Sequence, residues 1–227
     1  MAARFRLTQE ALASLAGIDL SPEQRKSLET LRDRAFEEEG GFLAALYALE
    51  APPSSDRQAA AILRGADRNY REAVALLGTA YQQQMAGRLE QAERLYLRSI
   101  ELFPTAEAHT FLGWTYSFSE RYDEAIEQCR RAIEVDPEFG NPYNDIGAYM
   151  IAQGSIREAI PWLERATAAS RYEPRHFPWA NLGRVYESLG DPGRALEHYV
   201  MATDLEPTYR VALEAIDRLT GPASRLN

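Results

Sequence analysis

FLGWTY, from Phe111 to Tyr116, recurs as LLGTAY from Leu76 to Tyr81, as DIGAYM from Asp145 to Met150 and as NLGRVY from Asn181 to Tyr186. The central glycines, Gly78, Gly113, Gly147 and Gly183, stand 35, 34 and 36 residues apart. Self-similarity at a fixed period of this size marks a stack of like supersecondary units. Downstream of each glycine come Ala92, Ala125, Ala159 and Ala195, four residues later Tyr96, Cys129, Leu163 and Tyr199, and three further on Ser99, Ala132, Ala166 and Ala202. Spacings of three and four place these residues on one helical face. Each unit closes near a proline: Pro104, Pro137, Pro174 and Pro207.

Glycine inside a helix costs roughly 0.5–1 kcal/mol relative to alanine, so its recurrence at one position calls for a packing reason. Close approach of two antiparallel helices supplies it, with the first-helix glycine facing the second-helix alanine and Tyr81, Tyr116 and Tyr186 filling the wider part of the seam. In this register the first unit carries about two extra residues in its turn, between Gln83 and Gly87, and the third about two or three before Pro174. Ser155 with Glu158 reads as a capping box, Asp191 as a cap before Pro192, and Pro137 and Pro207 as the starts of new helices after Asp136 and Glu206.

The order resembles the L-G-x2-Y, A-x3-F, P pattern of the tetratricopeptide repeat family. The second unit fits it without a gap, from Gly113 through Ala125, Cys129 and Ala132 to Pro137. The resemblance implies an all-α, right-handed superhelical solenoid of antiparallel helix hairpins, with an N-terminal helical extension and a C-terminal capping helix. Four repeats are expected over 71–207, at about 71–105, 106–139, 140–175 and 176–207. Residues 208–227 would hold a capping helix and tail, with Val211, Ala212, Ala215, Ile216 and Leu219 facing inward and Arg210, Glu214, Asp217 and Arg218 outward, as the open end of a solenoid requires.

Residues 1–70 carry no clear repeat. A first helix is expected from about Thr8 to Ala16, and a second opens on Ser21, Pro22 and Gln24 and runs to Gly40-Gly41. FLAALYAL, from Phe42 to Leu49, is nearly all apolar and reads as an irregular cap or as half of a degenerate hairpin, with Tyr47 at the glycine position and Ala59, Leu63 and Ala66 on its second helix.

With 45% hydrophobic residues the chain is able to bury a core, and a formal net charge of −9 argues against nucleic acid or an anionic membrane as partner. Cys129 is the sole cysteine, which rules out an internal disulfide, and no apolar run is long enough to insert in a membrane, so a cytoplasmic location is expected. His109, His176 and His198 fit no metal-ligand spacing, and no phosphate-binding glycine motif is present, so the reading is of a protein without catalytic residues, metal or cofactor.

What remains is a binding surface. The family resemblance implies that the first helix of each hairpin lines a concave groove. It assigns to that groove Thr79, Gln82 and Gln83 from the first unit, Thr110, Phe111, Trp114 and Phe118 from the second, Asn141, Asn144, Asp145 and Ile151 from the third, and Phe177, Asn181, Arg184 and Glu187 from the fourth. Asparagine amides both donate and accept, so Asn144 and Asn181 would grip the backbone of an extended peptide. Trp114 and Phe118, with Phe111, would take an apolar anchor, Arg184 a carboxylate or phosphate, and Asp145 and Glu187 a basic side chain. Family members that bind chaperone tails use several basic groove residues, whereas here Arg184 is the sole basic residue expected, so that specificity is not. The function expected is a scaffold or adaptor that holds a peptide or partner helix. The alternative is a bacterial secretion chaperone or an assembly factor for a pilus or another complex. Self-association through the N-terminal helices is a further expectation.

Overall fold

The computed structural model describes residues 54–221, with side chains from residue 68 onward. The helix expected at Thr8–Ala16, the one that opens on Ser21 and runs to Gly40-Gly41, and FLAALYAL lie outside the described residues, as does the tail after Gly221.

Among the described residues the chain forms α1 (Ser54–Met85), α2 (Leu89–Leu102), α3 (Ala106–Ser117), α4 (Tyr122–Val135), α5 (Asn141–Ala152), α6 (Ile160–Ala168), α7 (His176–Ser188), α8 (Pro192–Leu205) and α9 (Arg210–Thr220). α1 packs on α2, α3 on α4, α5 on α6 and α7 on α8, and each hairpin stacks on the next through α2–α3, α4–α5, α6–α7 and α8–α9. The result is an all-α solenoid in which each unit touches chiefly its neighbours. α1 is unbroken across 66–74, with no turn between the stretch from Asp56 and the first repeat.

The second-helix positions are buried as a set. Ala92, Tyr96 and Ser99, then Ala125, Cys129 and Ala132, then Ala159, Leu163 and Ala166, and finally Ala195, Tyr199 and Ala202 are each at most 1% exposed. Three of the four glycines face them at a distance that leaves no room for a methyl group. A Cβ on Gly147 would lie 2.5 Å from Leu163, one on Gly183 2.7 Å from the Tyr199 ring, and one on Gly113 2.9 Å from the Ala125 carbonyl oxygen.

Gly78 breaks the pattern, since a Cβ there would meet nothing within 4 Å. The residue against the seam in the first unit is Ala80, which is fully buried with Ala92 and Tyr96. Ala80 stands twelve residues before Ala92, the same distance as Gly113 from Ala125, Gly147 from Ala159 and Gly183 from Ala195. The turns give the same register. Gly87, Glu120, Gly154 and Gly190 all take positive φ, from 57° to 84°, seven residues after Ala80, Gly113, Gly147 and Gly183. In each turn the next residue donates its N–H to the carbonyl five back: Arg88 to Gln83, Arg121 to Tyr116, Ser155 to Met150 and Asp191 to Tyr186. This left-handed helix end with its paired hydrogen bonds is common to all four units. The expected insertion between Gln83 and Gly87 is therefore absent, and the first unit sits two residues later than LLGTAY suggests.

The caps differ from expectation in three places. Asp191 does cap α8, accepting from the Arg194 N–H at 3.0 Å. Ser155 and Glu158 do not cap α6, which starts at Ile160 with Pro161 in its first turn, where a proline that has no N–H to give leaves no hydrogen bond unmade. Pro137 and Pro207 lie in turns ahead of α5 and α9 rather than opening them. There the Asp136 carboxylate accepts from the Glu138 N–H at 2.9 Å and the Glu206 carboxylate accepts from the Thr208 N–H at 3.1 Å, and these bonds close a tight turn after each acid.

Candidate functional site

Between successive first helices lies a run of aromatic rings. Tyr81 on α1 is 5.5 Å from Phe111 on α3, centroid to centroid, Phe111 is 6.4 Å from Trp114, and Trp114 is 5.5 Å from Phe118. The inner edge of the run is anchored, because Phe111 also packs on Tyr96 in the core. The outer edge is open: Tyr81 is 40% exposed, Phe118 53% and the neighbouring Met85 61%. Tyr81 and Trp114 hold the same place, one residue after Ala80 and Gly113. The sequence reading missed Tyr81 as a groove residue because of the two-residue slip, and assigned Thr79, Gln82 and Gln83 in its stead. Thr79 bonds its own helix at Ala75 and Gln83 accepts from Arg88. Thr110, also assigned to the groove, is buried and donates to the Ala106 carbonyl at 2.7 Å.

Beyond the aromatic run the wall turns polar. Arg184 Nη1 donates to Asn181 Oδ1 at 3.3 Å, Asn181 Nδ2 to Asn144 Oδ1 at 2.9 Å, and Asn144 Nδ2 to Asp145 Oδ1 at 3.3 Å. The two asparagines thus hold each other across α5 and α7 rather than each turning its whole amide to the groove. Burial pushes the Asp145 carboxyl up to about 7, against the smaller downward pull of the Asn144 hydrogen bond. Asn141 is half-buried at the start of α5. Exposed Phe177 packs at a tilt against the His176 ring, 4.3 Å away between centroids, and edge-on against Tyr209.

At the end of the groove a cavity of about 350 Å³ opens between α7, α8 and α9, bounded by Arg184, Glu187, Tyr199, Val211, Glu214 and Arg218. Glu187 is already engaged there. Tyr199 donates to one of its oxygens at 3.0 Å, and Arg218 donates to both, at 2.6 and 2.8 Å. Its charge, which the sequence expects to meet a ligand's basic side chain, is thus matched within the chain. The corresponding residue of the first unit is Gln84, which accepts from Tyr96 at 2.7 Å in the same way. Arg218, placed by the sequence reading on the outward face of α9, turns into the groove, where it follows Arg184 by 34 residues. Val211 is the converse: expected inside, it is 49% exposed.

Among the described residues no group of histidine, cysteine and carboxylate side chains has the arrangement to hold a metal ion, and no helix is long and apolar enough to cross a membrane. His109 is buried with Nδ1 2.8 Å from Gln128 Oε1, and burial lowers its pKa, so it packs as a neutral ring. His198 stacks on Tyr186, and Cys129 is wholly buried, its thiol held protonated by the lack of solvent.

The family described as tetratricopeptide repeat matches residues 106–139 and again 179–218, the second stretch reaching onto α9. Among curated proteins, the type IV pilus assembly protein PilF of Pseudomonas aeruginosa is 28% identical over 180 residues, which are 78% of this chain and 70% of PilF. Protein bimA of Emericella nidulans is 26% identical over 108 residues, so this chain spans 13% of bimA. Among solved structures, PilF of Pseudomonas aeruginosa superposes with a TM-score of 0.63 at 23% identity, over 68% of this chain and 69% of that one. YrrB, a repeat protein with an unusual peptide-binding site, superposes with a TM-score of 0.53 at 17% identity, over 83% and 96%. At these identities the structural likeness is one of fold.

Proposed function

From the premise that this chain is a tetratricopeptide-repeat protein, we propose that it is a non-catalytic cytoplasmic scaffold, whose groove holds a peptide or helix of a protein partner. The observation that carries this reading is the aromatic run Tyr81–Phe111–Trp114–Phe118, which crosses two hairpins and leaves its outer edge open. Large rings exposed side by side on a rigid frame are the usual anchors of an interface, because they bury much area with few rotatable bonds. The remaining groove residues of the proposal are Asn141, Asn144, Asp145, Asn181 and Arg184. Capture of partners from a lysate by the wild-type chain and by a Trp114→Ala/Phe118→Ala variant tests it. Loss of one partner by a variant with unchanged helical content supports the groove, and equal capture sends the site elsewhere. Self-association through the N-terminal region belongs to the same proposal, and a single monomer boundary in sedimentation at high concentration would remove it.

A second reading is favoured by the length and position of the match to PilF, which covers most of both chains. In it the partner is a subunit of a type IV pilus or of its assembly machinery. Cells lacking the protein would then lose surface pili under electron microscopy, and normal piliation would eliminate this reading while leaving the scaffold.

A further inference from the structure

Three carboxylates on the first helices and on α9 are paired with arginines of the chain. Glu107 pairs with Arg171 at 2.7 Å, Glu187 with Arg218 at 2.6 Å, and Glu214 with Arg210 at 3.0 Å. Asp145 and Arg184 form no ion pair among the described residues. Each is tied to a neutral amide only, and the ties form one line: Arg184 to Asn181, Asn181 to Asn144, Asn144 to Asp145. Every hydrogen bond of that line points the same way, so a guanidinium stands at its donor end and a carboxylate at its acceptor end. The charges at its two ends fit the way the amides point, since a line of aligned dipoles favours positive charge at one end and negative at the other. The amides also keep the two charges apart. Arg184 is exposed, but Asp145 is largely enclosed, and an enclosed carboxylate without a cation is costly to keep charged.

We infer that the groove reads a polypeptide segment carrying a basic and an acidic side chain two or three residues apart, the basic one seated on Asp145 and the acidic one on Arg184. The spacing follows from the frame. Asp145 is on α5 and Arg184 on α7, packed helices lie about 8–10 Å apart, and an extended or polyproline-like segment rises about 3.1–3.4 Å per residue. The aromatic run lies on the side of the earlier repeats, so the features met along the groove from α1 toward α9 are an apolar anchor, a base and an acid. This inference rests on the groove-binding function proposed above and specifies its ligand.

Displayed random twelve-residue segments, selected on the full chain and on its Trp114→Ala, Asp145→Asn and Arg184→Gln variants, test it. Selection on the wild type is expected to enrich segments with an aromatic or aliphatic anchor and an opposite-charge pair at a spacing of two or three. Asp145→Asn should abolish the enrichment of lysine and arginine while keeping that of aspartate and glutamate, and Arg184→Gln the reverse. A selected segment, synthesised with a fluorophore, should lose about tenfold in affinity to either variant by anisotropy, as one ion pair is removed. Segments whose capture depends on Trp114 but which show no charge pair would overturn this inference and leave the groove. Segments whose capture is indifferent to Trp114, or no captured segment at all, would overturn both. Each variant is first shown to match the wild type in helical content and to melt no lower than it.

Discussion

Gly147 and Gly78 occupy look-alike hexapeptides, yet a Cβ would clash with Leu163 at the first and meet open space at the second. The two should respond to alanine with opposite signs. Gly147→Ala and Gly183→Ala force apart helices already in contact and should cost about 1–3 kcal/mol. Gly78→Ala places a better helix former on an exposed helical surface and should add about 0.5–1 kcal/mol. Chemical denaturation of the three variants reads both signs, and a destabilised Gly78→Ala would restore the original register. Asp145 makes a second residue-scale prediction. Its pKa is raised in the folded chain above the ordinary carboxylate value near 4, so the folded state holds the proton more tightly than the unfolded one. Stability falls as pH rises from about 4 to about 7, and the loss is complete above the folded pKa. Asp145→Asn removes the charge and should gain roughly 1–2 kcal/mol at pH 8, an advantage that shrinks toward zero at pH 4. Thermal melts across that range check it, and a gain independent of pH would contradict it.

Helix pairs were legible because the small residues of each second helix recur with the period of a helix, and close packing makes their size matter. The first unit was misread by letters alone: LLGTAY matches the motif, but the seam is made by Ala80, and the constant spacing to Ala92 and to the turn at Gly87 carried the correct register. Trp114 and Phe118 were found from that motif and Tyr81 was lost with it. Contacts between distant segments were not legible. Arg218 and Glu187 are 31 residues apart, and nothing local to α9 says that its arginine turns inward. Arg171 is the other such case. From the loop after α6 it donates to Glu107 on α3 at 2.7 Å and to Asp136 at the end of α4 at 2.8 Å, while its guanidinium lies 4.0 Å above the Phe139 ring. Its backbone pairs with the turn before α5, through Arg171 N–H to Glu138 and Gly140 N–H to Arg171. One side chain thereby ties together segments of the second and third hairpins. Arg171→Ala should lower stability by about 1–2 kcal/mol, since it leaves Glu107 and Asp136 partly enclosed and unpaired. Hydrogen exchange should show the loss at α3 and at the turn before α5, and a purely local effect at 169–175 would refute the strap.

A solenoid with contacts chiefly between neighbours distributes its stability along one axis. α9 is held to the stack by buried Ala212 and Ala215 and by the grip of Arg218 on Glu187. Arg218→Ala should therefore accelerate amide exchange in α9 and in the last turn of α7 while leaving α3 and α4 unchanged. Uniform acceleration along the chain would mean that the repeats melt as one unit. The same axis gives meaning to the one-way line of hydrogen bonds from Arg184 to Asp145. A bound segment is not merely gripped but given a heading: one whose sequence runs base then acid lies along the repeats in the direction of α9, and one that runs acid then base lies the other way. Whatever domain follows the segment in the partner's chain is thereby sent out beyond α9 or back past α1, and the order of two charges in the ligand decides which.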